Sequence, residues 1–131
     1  MLQVSEVAFT GYPVTDMKRA RAFYENTLGL KPAMVGGEDR AAWVEYEIGS
    51  STFAISNMAP DWKPSGDGPA ISLEVVDFDS SIQWLRDHGV RFVLEPVPTP
   101  VCRMAVVADP DGNSVIIHKR NGEYGQRSPA A

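Results

Sequence analysis

At 131 residues, 44% hydrophobic and 22% charged, the chain has the size and make-up of a single folded domain, 1–131, that needs no disulfide or structural metal to bury a core. A net charge of −5 argues against nucleic acid as a partner, and the basic clusters Lys18-Arg19 with Arg21 and Lys119-Arg120 are short and flanked by acids. The single cysteine, Cys102, excludes an intrachain disulfide and a paired-cysteine zinc cluster; no apolar run reaches the about 18–20 residues of a membrane helix and no leader peptide is visible, so a cytoplasmic protein without a membrane partner is expected.

Val4–Tyr12 alternates and carries β-formers, which predicts a first strand. Thr15 and Asp16 can cap a following helix, whose apolar stripe is Met17, Ala20, Tyr24, Thr27 and Leu28, and Gly29 ends it. Three strands are expected next, at Lys31–Gly36, Ala41–Ile48 and Ser51–Asn57, completing a module over 4–57. The stretch 58–69 holds Pro60, Pro64, Gly66, Gly68 and Pro69 without periodicity and reads as a linker.

The pattern then recurs over 70–119. Ala70–Val75 alternates small or polar residues with aliphatic ones, Asp77 and Asp79 can cap a helix with the stripe Phe78, Ile82 and Leu85, and Gly89 closes it. Strands are expected at Arg91–Pro96, Arg103–Ala108 and Ser114–Lys119, the last two joined by the turn sequence Asp109-Pro110-Asp111-Gly112-Asn113. Val14-Thr15-Asp16-Met17 falls on Val75-Val76-Asp77-Phe78 at an offset of 61, Phe23 on Trp84, and Gly29 on Gly89 once one residue is dropped. The chain reads as α+β, two tandem β-α-β-β-β modules with a tail over 120–131 expected to be mobile.

Val14-Thr15-Asp16, Ala22-Phe23-Tyr24 and Leu28-Gly29-Leu30, together with Glu74-Val75-Val76-Asp77, Gly89-Val90 and the Asp109–Asn113 turn, resemble the motifs of the vicinal oxygen chelate superfamily. That superfamily includes glyoxalase I, ring-cleaving dioxygenases and bleomycin resistance proteins, and the resemblance covers about residues 4–119. It implies a curved, barrel-like mixed sheet with helices outside, a small-molecule ligand in the sheet cavity and a homodimer. In metal-dependent members, a divalent ion held by first- and fourth-strand side chains acts as a Lewis acid.

The resemblance puts those ligand positions at Phe9, seven residues before Asp16; at Ala70, seven before Asp77; at Ala54; and at Ile116, four after Gly112. None of these side chains binds a metal, so no metal cofactor is expected. Weight moves to binding a small organic molecule by stacking and hydrogen bonds, as bleomycin resistance proteins do; the alternative is a lyase or isomerase with a rebuilt site. Period two then sends Val7, Thr52, Ser56, Ser72, Glu74, Ser114 and His118 to the same face, with Phe53, Ile55, Ile71, Leu73, Val115 and Ile117 opposite, under the helices.

His118 and Glu74 are the candidate proton-transfer pair, because imidazole titrates near neutrality; the bland alternative is a half-exposed histidine and a solvated carboxylate at strand ends. Arg103 is a candidate grip for a ligand carboxylate at the cavity rim, Trp62 a candidate lid, and Phe9, Ala54, Ser56, Ala70, Ser72 and Ile116 candidate lining. Cys102 reads as a small hydrophobe rather than a nucleophile, His88 as a helix C-terminal residue, Trp84 as core, and Glu45 and Glu47 as edge carboxylates.

Overall fold

A computed structural model describes residues 1–38 and 40–122. Its strands form two four-stranded mixed sheets with the same internal order, and the chain divides into two units: Met1–Ser65 with Pro110–Gly112, and Gly66–Asp109 with Asn113–Ala131. No helix among the described residues is long and apolar enough to cross a membrane.

The first unit runs β1 (Thr10–Pro13), α1 (Met17–Arg21), a π-helical stretch (Ala22–Thr27), β2 (Pro32–Glu38), β3 (Ala41–Ile48) and β4 (Ser51–Ser56), in the sheet order β1-β4-β3-β2. β1 lies parallel to β4, which demands a crossover, and the helix supplies it. Asp16 caps that helix by accepting from the Arg19 N–H at 3.0 Å. Beyond Arg21 the coil widens, with the Leu28 N–H donating to the Phe23 carbonyl five residues back at 2.9 Å. Tyr24, Tyr46 and Phe53 are buried, and Phe53 meets the rings of Tyr12 and Tyr24, each at 5.1 Å. Such pairs contribute about 0.5–1.5 kcal/mol beyond their buried area.

One polar network enters this core. The Tyr46 hydroxyl donates to Glu25 at 2.8 Å, and the Arg21 Nε donates to the same carboxylate at 2.6 Å. Burial pushes the Glu25 carboxyl up, but the bonds from Arg21 and Tyr46 outweigh it and hold the group below its ordinary value. Burial, then the bond to Glu25, pushes the Tyr46 phenol well up.

The expected first strand over Val4–Tyr12 is corrected to Thr10–Pro13; residues 1–9 form no strand and are exposed. The partner strand explains the difference. β4 pairs Phe53–Ser56 with Thr10–Pro13, and with only Ser51 and Thr52 before them it has no residue to pair with Val4–Val7.

The second unit repeats the plan: β5 (Ile71–Glu74), α2 (Phe78–Asp87), β6 (Phe92–Pro98), β7 (Cys102–Ala108) and β8 (Ser114–Arg120), in the order β5-β8-β7-β6. Asp77 caps α2 through the Ser80 N–H at 2.9 Å. Phe78, Ile82 and Leu85 are buried, as are Ala105, Val107, Val115 and Ile117 of the sheet. Trp84, expected in the core, is 49% exposed: it lies off the Phe78–Ile82–Leu85 stripe and stacks on His88 at 3.9 Å. His88 closes α2 as its C-cap, as expected.

The five-residue turn is a lock built from its own side chains. The Asn113 backbone and amide nitrogens donate to the two Asp109 carboxylate oxygens at 2.9 and 2.8 Å, and both residues are buried. β8 extends through Arg120, so the first residue of the expected tail belongs to the sheet; positions 123–131 lie outside the described residues.

Candidate functional site

The register of the second sheet sorts its side chains into two sets. Glu74 pairs with His118, Ser72 with Ile116, Met104 with His118, and Val106 with Ile116, so these residues share one face. The other face carries Ala105, Val107, Val115 and Ile117, all buried with the helix stripe. The open face is thus an aliphatic floor of Ile116, Met104 and Val106 with polar residues along β5. Ser72 is exposed there and Ile116 partly exposed, while Ala70 sits just before β5.

The structure brings His118 and Glu74 together. His118 Nδ1 lies 2.5 Å from Glu74 Oε1, with the two side chains 24% and 35% exposed. Glu74 also accepts the Arg120 N–H at 2.8 Å, and the Arg120 guanidinium stands 3.4 Å away. Burial pushes the Glu74 carboxyl up, but the bonds from the Arg120 backbone and His118 prevail and hold it below the ordinary carboxylate range. A carboxylate held ionised fixes the ring tautomer of its histidine and leaves Nε2 for other partners, which is the arrangement of an oriented general base.

The first unit presents a different open face. Gly11 pairs with Ala54, Glu45 with Ala54, and Trp43 with Ser56. Phe9 stands just before β1, 46% exposed, and meets the Trp43 ring edge-to-face at 5.1 Å. Trp62 lies over Gly11; a Cβ built there would come within 2.9 Å of the indole Cη2, so glycine at this position gives the ring its seat. Ala54 is buried among these neighbours.

Two expectations for lining residues need correction. The Ser56 hydroxyl donates to the Ala42 carbonyl at 2.9 Å and accepts the Met58 N–H at 3.1 Å, so it anchors the chain leaving β4 rather than facing a ligand. Arg103 was expected at the cavity rim, but it stands with Ala105 and Val107 on the helix-bearing face, its guanidinium 4.5 Å from the Phe78 ring centre and 2.6 Å from Asp79. Parity with Ala105 and Val107 was the signal for that placement. Of the other candidates, Val7 is exposed ahead of β1, Cys102 is buried with its sulfur 3.0 Å from the Thr99 hydroxyl, and Glu47 accepts from Thr52 at 3.0 Å.

Trp43 is the aromatic that sequence reasoning missed. It shares strand parity with Glu45 and Glu47, and its indole N–H donates to Glu45 at 2.8 Å. Its place opposite Ser56 depends on the β3–β4 register.

Phe9, Ala54, Ala70 and Ile116 have no side-chain lone pair for a cation, and among the described residues no three His, Cys, Asp or Glu side chains gather closely enough to hold one. These side chains do not fit a divalent ion.

Residues 6–117 match the family model described as the Glyoxalase/Bleomycin resistance protein/Dioxygenase superfamily. Among solved structures, the chain is 26% identical to a member of that superfamily from Sphaerobacter thermophilus DSM 20745, covering 90% of this chain and 99% of that one, with a TM-score of 0.69. A glyoxalase/bleomycin resistance protein from Streptomyces sp. CB03234 is 25% identical, with 86% and 98% covered and a TM-score of 0.70. TnmS3, an antibiotic-binding protein from the same Streptomyces strain, has the same fold at 24% identity, with 92% and 100% covered and a TM-score of 0.77. No curated protein sequence matches the chain.

Proposed function

Because the chain belongs to the glyoxalase/bleomycin resistance protein/dioxygenase superfamily, we propose that it binds a small organic molecule on its open sheet faces by shape, stacking and hydrogen bonding, without the divalent ion of its metal-dependent relatives. What supports this reading is that the positions to which the family resemblance assigns the metal ligands hold Phe9, Ala54, Ala70 and Ile116, none with a side-chain donor, and that the open faces carry Trp43, Trp62, Met104 and Val106. Largely apolar surfaces with a few placed polar groups are the usual make-up of small-molecule sites. TnmS3, which has this fold, is an antibiotic-binding protein.

A thermal-shift screen against planar and polycyclic drugs and metabolites, run before and after exhaustive chelation, tests the proposal. A ligand at 100 times its Kd stabilises the native state by about 2.7 kcal/mol, and the shift is expected to be the same in both samples. Stoichiometric divalent metal together with chelator-sensitive turnover would sink it.

The His118–Glu74 bond at 2.5 Å favours a second reading, a lyase or isomerase in which His118 moves a proton. Its test is deuterium uptake from heavy water into a carbon acid, abolished in His118→Gln. The homodimer is likewise a proposal, supported by edge strands β2 and β6, which expose Met34, Val35, Val93 and Leu94. Sedimentation velocity over a range of concentrations checks it.

A further inference from the structure

The segment that leaves β4 builds a cleft of its own in the first unit. Ser56 and Asn57 hold its start: the Ser56 hydroxyl accepts the Met58 N–H at 3.1 Å, and the Asn57 side-chain oxygen accepts the Ala42 N–H at 2.8 Å. A turn follows, closed by the Trp62 N–H donating to the Ala59 carbonyl at 3.0 Å, with Pro60 at its second position, where the fixed φ suits the turn. Trp62 is seated over Gly11 yet remains 39% exposed. The cleft has a volume of about 540 Å³, within the range of sites for drug-sized molecules.

Its lining has a distinct chemistry. Trp62, Pro60 and Pro64 give flat apolar walls, and Arg40 and Lys63 bring two positive charges, while among the described residues no carboxylate lines it. Neither cation forms an ion pair with another described residue. The nearby carboxylate of Asp111, bonded to Thr15, is already neutralised by Arg19 at 2.9 Å. In a chain of net charge −5, two cations without an ion pair among the described residues, at one apolar cleft, favour an anionic ligand there.

We propose that this cleft binds a planar aromatic carboxylate, the ring stacking on Trp62 and the carboxylate held by Arg40 and Lys63. The proposal rests on the small-molecule reading above and adds the ligand class and its two anionic anchors. A flat ring matches an indole fixed on a glycine seat and two proline faces, because stacking needs no rotamer change and little ordering entropy. The guanidinium of Arg40 suits a carboxylate's two oxygens, and Lys63 adds a second charge.

The test uses 2-naphthoate and its neutral amide, followed by nitrogen–proton correlation spectra of the whole chain, with the Trp62 indole signal assigned by its loss in Trp62→Phe. Saturable movement of that signal by naphthoate is expected, with at least tenfold weaker binding of the amide. Arg40→Gln and Lys63→Gln should each weaken naphthoate about fivefold without changing Tm, and raising the salt should weaken it further. Equal affinity for acid and amide, or unchanged affinity in both variants, overturns the proposal. If naphthoate instead moves the signals of Met104, Val106 and Ile116 and leaves Trp62 still, this inference fails while the small-molecule reading stands. If neither compound nor any member of the drug panel binds, both fall.

Discussion

Two titratable side chains, the Tyr46 phenol and the Glu74 carboxylate, report on this protein residue by residue. The Tyr46 phenol is raised from an ordinary value of 10.0 by burial and by its bond to Glu25, so the native state keeps the proton where the unfolded chain has lost it. Its stabilisation is therefore complete below pH 10 and falls as the pH rises beyond, and Tyr46→Phe is expected to flatten that alkaline loss while costing about 1 kcal/mol at pH 7. Urea titrations at pH 7 and pH 10.5 check both. Glu74 runs the other way: its folded value lies below 4.5, so its contribution is in place above that pH and is lost as the pH falls through the lower folded value. Glu74→Gln should shrink the drop in urea midpoint between pH 6 and pH 3, by a small amount because solvent reaches 35% of the side chain.

Among elements, the local signals that start and stop the helices act as sequence chemistry says they should. Asp16 and Asp77 each accept the third N–H along, so Asp77→Ala is expected to cost about 1 kcal/mol, read as a lower urea midpoint with an unchanged slope. The β2–β3 hairpin depends on Gly37, whose φ is +77° and where a Cβ would lie 2.0 Å from the Ala41 carbonyl oxygen. Gly37→Ala should destabilise by more than about 2 kcal/mol, because it adds backbone strain to a clash with main chain. The Asp109–Asn113 turn, so useful for recognising the family, is held by the bonds from Asn113 to Asp109 and by those that Asp111 accepts from Thr15 and Arg19. Its chemistry holds β7 to β8 and says nothing about a ligand.

For the whole molecule, the repeated order β1-β4-β3-β2 and β5-β8-β7-β6 shows one plan used twice with two different open faces. One is aromatic, with Phe9, Trp43 and Trp62; the other is aliphatic, with Ile116 and Met104 beside the His118–Glu74 pair. The repeated scaffold thus carries faces of different chemistry, as a shared fold can. On the binding reading proposed above, no ion contributes to folding, so dialysis against a chelator should leave Tm unchanged; a fall of several degrees would count against it.

The alternation of helix and strand, the capping residues, the duplication and the two-sidedness of Ser114–Lys119 were all legible in the chain, because each is written in the spacing of neighbouring residues. Pairing was not. That the first strand does not reach back to Val4 follows from the length of β4, some forty residues on; that Trp62 lies over Gly11 and Trp43 beside Phe9 follows from register and from a turn remote from both. Ser56 shows the same division: its strand parity with Ala54 is written in the sequence, but its hydroxyl is taken by the Ala42 carbonyl and the Met58 N–H, partners that only the folded chain brings within reach. Local periodicity needs a few consecutive side chains to specify it, whereas contacts between distant segments exist only once the whole sheet has closed its hydrogen-bond ladder.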